Sequence, residues 1–236
     1  MHRLRGPWLA WLWLAGIGVA QTPTTTEVTT PPAERPRPRD ATALFATMAA
    51  MTGLEATFRE EKHVALLALP LQSKGRLFFF RRDAKVAGSK PEGYLARIVD
   101  APEPSKVTIT PRELRLQNRD GTEVIDLSRS DKVRSFITSL VHVFAGDETA
   151  LRNTYAVDYT PDADDTAVWT LTLVPRVEPL DKMLKHLRLV GRGETVERIE
   201  IVEPNGDRTV TEVLTANPAR RFDRNEQKQL FGIDAP

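Results

Sequence analysis

The segment Leu77-Phe78-Phe79-Phe80 constrains the fold more than any other part of the chain. It sits in residues 71–82, which read as one strand ending in Arg81 and Arg82. Side chains alternate across a strand. Leu77, Phe79 and Arg81 therefore share one face, and Phe78, Phe80 and Arg82 share the other. A strand with one wet face alternates apolar with polar residues. This one does not, so both of its sides need cover. Either two helices pack one face each, or one face lines a cavity beneath a helix with Arg81 at the edge. The two arrangements are compatible if the first helix covers part of the second face.

The neighbouring segments supply the sheet and its cover. Asp40 caps a helix over residues 41–51, with Leu44, Phe45, Met48 and Met51 on one side. Residues 54–69 form a long first strand, and Pro70 breaks it before the second. Short strands follow in residues 94–101, 105–111, 112–118 and 122–128, with a turn at Asn118-Arg119-Asp120-Gly121. Residues 130–153 then change period. Val133, Phe136, Ile137, Leu140, Val141 and Phe144 are spaced as one helical face, and Ala145-Gly146 ends it. Strands resume in "TAVWTLTLVP", which puts Trp169, Leu171 and Leu173 on one face. They continue in "HLRLVGRG", "TVERIEIVEP" and "RTVTEVLTANP". In "TVERIEIVEP", Val196, Arg198, Glu200 and Val202 oppose Ile199 and Ile201. The polar tail carries Phe222, Leu230 and Phe231 as anchors. Two strand blocks separated by helices define an α+β fold. The expectation is a single curved antiparallel β-sheet of about 10–11 strands, an incomplete barrel with helices over its concave face.

The start of the chain points to export. A basic "MHRLRGP" precedes thirteen apolar or small residues, 8–20, with Gly18 and Ala20 placed for cleavage after Ala20. That is the layout of a signal peptide over residues 1–20, and thirteen residues fall short of the roughly 20 needed to span a bilayer. Residues 21–39 are rich in Thr and Pro and form an extended linker. Residues 40–236 form the domain. The chain has no cysteine, so it cannot be a lipoprotein anchored at its own N-terminus, and no disulfide can replace a hydrophobic core. Loss of residues 1–20 removes Arg3 and Arg5 and no acid, shifting the formal charge from +1 to −1. Such a balance gives no support to a nucleic-acid partner. The histidines lack metal-ligand spacing, and the chain has no Gly-x-Ser-x-Gly elbow and no phosphate loop. No cofactor and no enzymatic activity are expected.

The second strand resembles that of the outer-membrane lipoprotein carrier (LolA) family, which reads Gly-x-Leu-x-x-x-Arg-Pro. Gly75, Leu77 and Arg81 match, while Arg82 stands where proline is usual. The order of elements over residues 40–215 is similar too, as in a divergent branch of that family. The resemblance implies a periplasmic carrier that shelters the acyl chains of a lipoprotein or another lipid amphiphile. It also implies an inner-membrane donor complex and an outer-membrane acceptor, with the carrier itself a monomer. The alternative is a lipid-sensing or partner-binding module of the same fold without transfer activity. In the family the strand-two arginine bonds the helical lid, and Arg81 has the inward parity for this; either Arg81 or Arg82 takes the role. Val133, Phe136, Ile137, Leu140 and Phe144 are expected on the lid, facing Phe58, Leu77, Phe79, Trp169, Leu171 and Leu173 on the sheet. Replacing Arg81 with Leu is expected to impair opening, release or both.

Overall fold

The computed structural model describes residues 37–82 and 92–233. The expected signal peptide and nearly all of the linker lie outside them. Arg37 and Pro38, at the linker's end, are already docked. Arg37 Nη1 donates to the carbonyls of Asp162, Asp165 and Val168 at 3.1–3.3 Å, and the Tyr159 hydroxyl donates to Pro38 O.

Helix α1 (Ala41–Ala50) opens the fold, with the Asp40 carboxylate accepting from Ala43 N at 2.8 Å. A first meander follows: β1 (Gly53–His63), β2 (Leu71–Arg82), β3 (Glu92–Ala101), β4 (Ser105–Ile109), β5 (Glu113–Asn118) and β6 (Gly121–Asp126). Helix α2 (Asp131–Ala145) starts at Ser130, whose hydroxyl accepts from Val133 N at 3.4 Å. It ends at Gly146 with φ +60°, in the left-handed region that glycine tolerates best. A Cβ there would also lie 2.4 Å from Phe45 O, so the end of α2 is seated directly on α1. After α3 (Glu148–Thr154) comes a second meander: β7 (Tyr155–Pro161), β8 (Val168–Pro175), β9 (His186–Arg192), β10 (Thr195–Val202) and β11 (Arg208–Asn217).

The two meanders form one antiparallel sheet in the order β6-β5-β4-β3-β2-β1-β11-β10-β9-β8-β7. The β1–β11 pairing joins them, running from Glu55↔Asn217 to His63↔Arg208 with one register shift between Thr57 and Phe58. The curved sheet does not close, because β6 and β7 end as its two edges. Helices α1, α2 and α3 all cover the concave face. Their apolar residues Leu44, Phe45, Phe136, Ile137 and Leu151 join one core with Leu171, Leu173 and Leu187 from the strands.

The second face of β2 is covered differently from expectation. Helix α1 does not reach it. A C-terminal helix, α4 (Arg224–Phe231), does, after the chain returns along the outside of the sheet. Phe222 and Phe231 form a separate cluster with Phe78, Tyr94 and Ala96. Phe231 stacks on Phe80 at 5.8 Å between ring centroids and is fully buried. Lys106 Nζ donates to Gln229 O, and Thr108 Oγ1 donates to Leu230 O at 3.4 Å. The cap of α4 is reciprocal: Asp223 accepts from Glu226 N, and Glu226 accepts from Asp223 N.

Three further expectations give way. β1 stops at His63 rather than residue 69, because Lys62 already pairs with Leu71 and residues 64–70 must make the connection. Leu66 and Leu69 are 94% and 77% exposed there. β10 does not alternate cleanly. A bulge between Val196 and Arg198 reverses the parity, so Val196 joins Ile199 and Ile201 on the inner side. Residues 155–161 form a strand, β7, that the sequence reading did not include.

Candidate functional site

The concave face is filled at one end and hollow in the middle. Towards β7 and β8 the packing is solid. Trp169, Leu171, Leu173 and Leu151 have no exposed surface, and both α1 and α3 pack on β7. The Trp169 indole N–H donates to Gly193 O at 2.8 Å, and its ring stacks on Tyr159. From β9 round to β4 the helices stand off the sheet and enclose a cavity of ≈ 980 Å³. Its roof comes from α1 and α2 through Met48, Met51, Leu140, Val143 and Phe144. Its inner wall includes Phe58, Leu77, Leu95, Ile109, Leu189 and Ile199. The rim, at the β9–β10 turn and the end of β11, carries exposed Glu194, Thr195, Glu197 and Pro218.

The structure divides the twelve sequence-predicted residues. Phe58, Leu77, Leu140 and Phe144 line the cavity. Phe79, Phe136, Ile137, Trp169, Leu171 and Leu173 share the inner side with them but are buried in the core. Val133 packs at the core's edge. Phe79 does not line the cavity; it stacks at 6.1 Å on Phe144, which does. Inward parity was therefore read correctly from the sequence; which inward residues meet open space was not.

Arg81 lies at the top of β2, where α1 and α2 end side by side. Its guanidinium donates through Nη1 to Ala49 O and through Nη2 to Ala145 O, tying the last turns of both helices to the sheet. A cation at two helix C-termini also meets the negative ends of both helix dipoles. Arg82 points to the outer face. It sits 5.0 Å over the Tyr94 ring and 3.8 Å from Glu92. Of the two arginines, Arg81 is therefore the one that holds the helices.

Sequence reasoning missed a polar group on the deep wall. Glu60 and Arg97 project inward from β1 and β3 among apolar neighbours. Arg97 Nη2 donates to Glu60 Oε1 at 2.8 Å, and Thr211 Oγ1 donates to Glu60 Oε2 at 2.9 Å. The guanidinium also lies 4.7 Å over the Phe58 ring. Glu60 is 2% exposed, whereas Arg97 and Thr211 line the cavity. Burial pushes the Glu60 carboxyl above the ordinary range, against the pull of Arg97, Thr211 and Ser73. Below this group, buried Lys62 pairs with Glu203 at 3.5 Å. The signal was available: strand parity puts Glu60 in line with Ala56 and Phe58, and Arg97 between Leu95 and Val99.

No group of three or more His, Cys, Asp or Glu among the described residues is placed to hold a metal ion. No described helix is long and apolar enough to cross a membrane.

An open, curved sheet with a helix-roofed apolar cavity is the class of protein this architecture defines. The chain belongs to the family described as outer membrane lipoprotein carrier protein LolA-like, whose model matches residues 33–229. No curated protein matches it at a significant level. Similar solved structures include a DUF1329 family protein from Desulfovibrio piger, with 11% identity over 80% of this chain and 92% of that one and a TM-score of 0.44. Another is a LolA superfamily protein from Nitrosomonas europaea, with 9% identity, 78% and 96% coverage and a TM-score of 0.38. A third is the lipoprotein LppX of Mycobacterium tuberculosis, with 10% identity, 77% and 98% coverage and a TM-score of 0.35. At these identities and scores none of them bears on what this chain binds.

Proposed function

We propose that this protein is an exported carrier that shelters the acyl chains of a lipoprotein or other lipid amphiphile and delivers them across the periplasm. The observation that carries the reading is the apolar cavity of ≈ 980 Å³ under two helices whose last turns Arg81 ties to the sheet. At roughly 30 Å³ per heavy atom, the share of one water in the liquid, this space holds on the order of thirty atoms. That is about two acyl chains of common length.

Transfer requires release as well as capture. Burying one CH₂ stabilises the bound state by about 0.8 kcal/mol. A single chain of about 16 carbons would then approach ~13 kcal/mol, nanomolar or tighter. The roof helices offset this. They roof the cavity while Arg81 holds them, and the work of opening them to admit cargo lowers the net affinity. Arg81 sets how much.

The test is to express the full chain with export, recover it from a bacterial periplasm, and weigh it under non-denaturing conditions before and after solvent extraction. A bound acyl-chain amphiphile lost on extraction is the expected result. Bare protein that also fails to bind a fluorescent fatty acid or a lipopeptide would overturn the reading.

A further inference from the structure

The polar group on the deep wall is out of place in a container for hydrocarbon. A buried ion pair is often no more stabilising than well-packed apolar residues of the same volume. Stability alone therefore gives no reason for Arg97 to stand between Leu95 and Val99 on the cavity wall. Its placement is directional. Glu60 sits behind, and of the groups that donate to it, Arg97, Thr211 and Ser73, the first two line the cavity. The Thr211 proton is committed to Glu60, so its oxygen presents lone pairs to the cavity. Arg97 brings a fork of N–H donors. The cavity wall thus carries a donor and an acceptor gathered about one carboxylate, Arg97 on Oε1 and Thr211 on Oε2. Their formal charge is already cancelled by Glu60.

That pairing selects a chemistry. A second carboxylate or a phosphate would enter a neutral, desolvated site at high cost. A hydroxyl would not: it accepts from Arg97 and donates to Thr211 through one oxygen. We infer that the deep wall is a recognition subsite for a hydroxyl group carried on the inserted end of the cargo's chain, with Arg97 as donor and Thr211 as acceptor. The depth is suitable. From Pro218 at the rim to Thr211 in the polar group is seven residues, along β11 and one step past its end, roughly 20 Å at ~3.3 Å per residue. One leaflet of a hydrocarbon core is about 15 Å. The polar end of such a chain remains at the rim while its far end reaches the wall.

The inference rests on the carrier reading, and the test separates the two. The full chain is titrated with a fluorescent fatty acid, which is then displaced by hexadecanoic acid and, in parallel, by 16-hydroxyhexadecanoic acid. The hydroxy acid is expected to compete about tenfold better, the lower end of what a hydrogen bond to a charged group contributes. Thr211→Val, which leaves the Glu60–Arg97 pair in place, should bring the ratio of the two acids close to one. The double variant Glu60→Met, Arg97→Met should do the same or reverse it. Equal competition in the unmodified protein, or a preference that survives both variants, overturns the subsite and leaves the carrier reading standing. Failure of both acids to displace the probe, or of the probe to bind, removes both.

Discussion

Replacing Arg81 with Leu tests the link between fold and release. The guanidinium donates charge-assisted hydrogen bonds to Ala49 O and Ala145 O. Each such bond contributes about 1.5–3 kcal/mol. Water reaches the Ala49 end, where the bond is exposed, so only the part-buried bond to Ala145 is counted in full. The closed state should therefore lose about 1.5–3 kcal/mol, a ten- to hundredfold shift in the opening equilibrium. Apparent affinity scales with the fraction of binding-competent molecules. The variant should bind a fluorescent fatty acid about ten- to hundredfold more tightly, release it correspondingly more slowly, and melt roughly 2–4 °C lower per kcal/mol lost. Arg81→Lys, which keeps the charge but not the fork, should fall between. A lowered melting temperature with unchanged affinity and off-rate would refute the latch and reduce Arg81 to a structural tie.

Other perturbations test other parts of the molecule. Phe231→Ala empties the fully buried centre of the outer cluster and should cost about 3–5 kcal/mol in denaturant unfolding; a loss under 1 kcal/mol would show that the C-terminal helix merely rests on the sheet. Leu66→Ser and Leu69→Ser should each change stability by no more than about 0.5 kcal/mol, since both side chains are exposed, and a fall of several degrees in melting temperature would mean that they pack. Glu60 titrates above its ordinary 4.5 in the fold, so its favourable contribution is complete below that value and is lost as pH rises through the folded value. Measured against Glu60→Gln, the unmodified protein should lose relative stability as pH climbs from about 4.5 towards neutral. The opposite slope would show that Arg97, not burial, dominates.

Most of the sheet was legible because strand period is a direct physical signal. Trp169, Leu171 and Leu173 face inward as their parity requires, as do Leu77 and Phe79. The misses have identifiable causes. Parity arguments assume an unbroken pleat, and the bulge at Val196 breaks it without a marker in composition. Residues 64–69 look like strand because they are apolar, yet hairpin closure between Lys62 and Leu71 overrides that preference. β7 does alternate, Tyr155, Val157 and Tyr159 against Ala156, Asp158 and Thr160, but it is only seven residues long and follows α3 without a break, and sequence reasoning missed it. The C-terminal helix has few apolar residues, though Asp223 and Glu226 did spell a capping box. The division between filled core and cavity was not legible at all. It depends on how far α1 and α2 stand from the strands, which no periodicity encodes.

The unclosed sheet has a consequence for size. A closed barrel has its bore fixed by strand number and stagger. Here β6 and β7 never meet, so no bore is imposed. Neighbouring strands are rotated by about 20–25°. A change of about 2° at each of the ten strand pairings would add up to nearly one more such rotation, from edge to edge, with every ladder intact. The gauge of the container is thus a matter of accumulated twist, adjustable by small substitutions anywhere along the sheet.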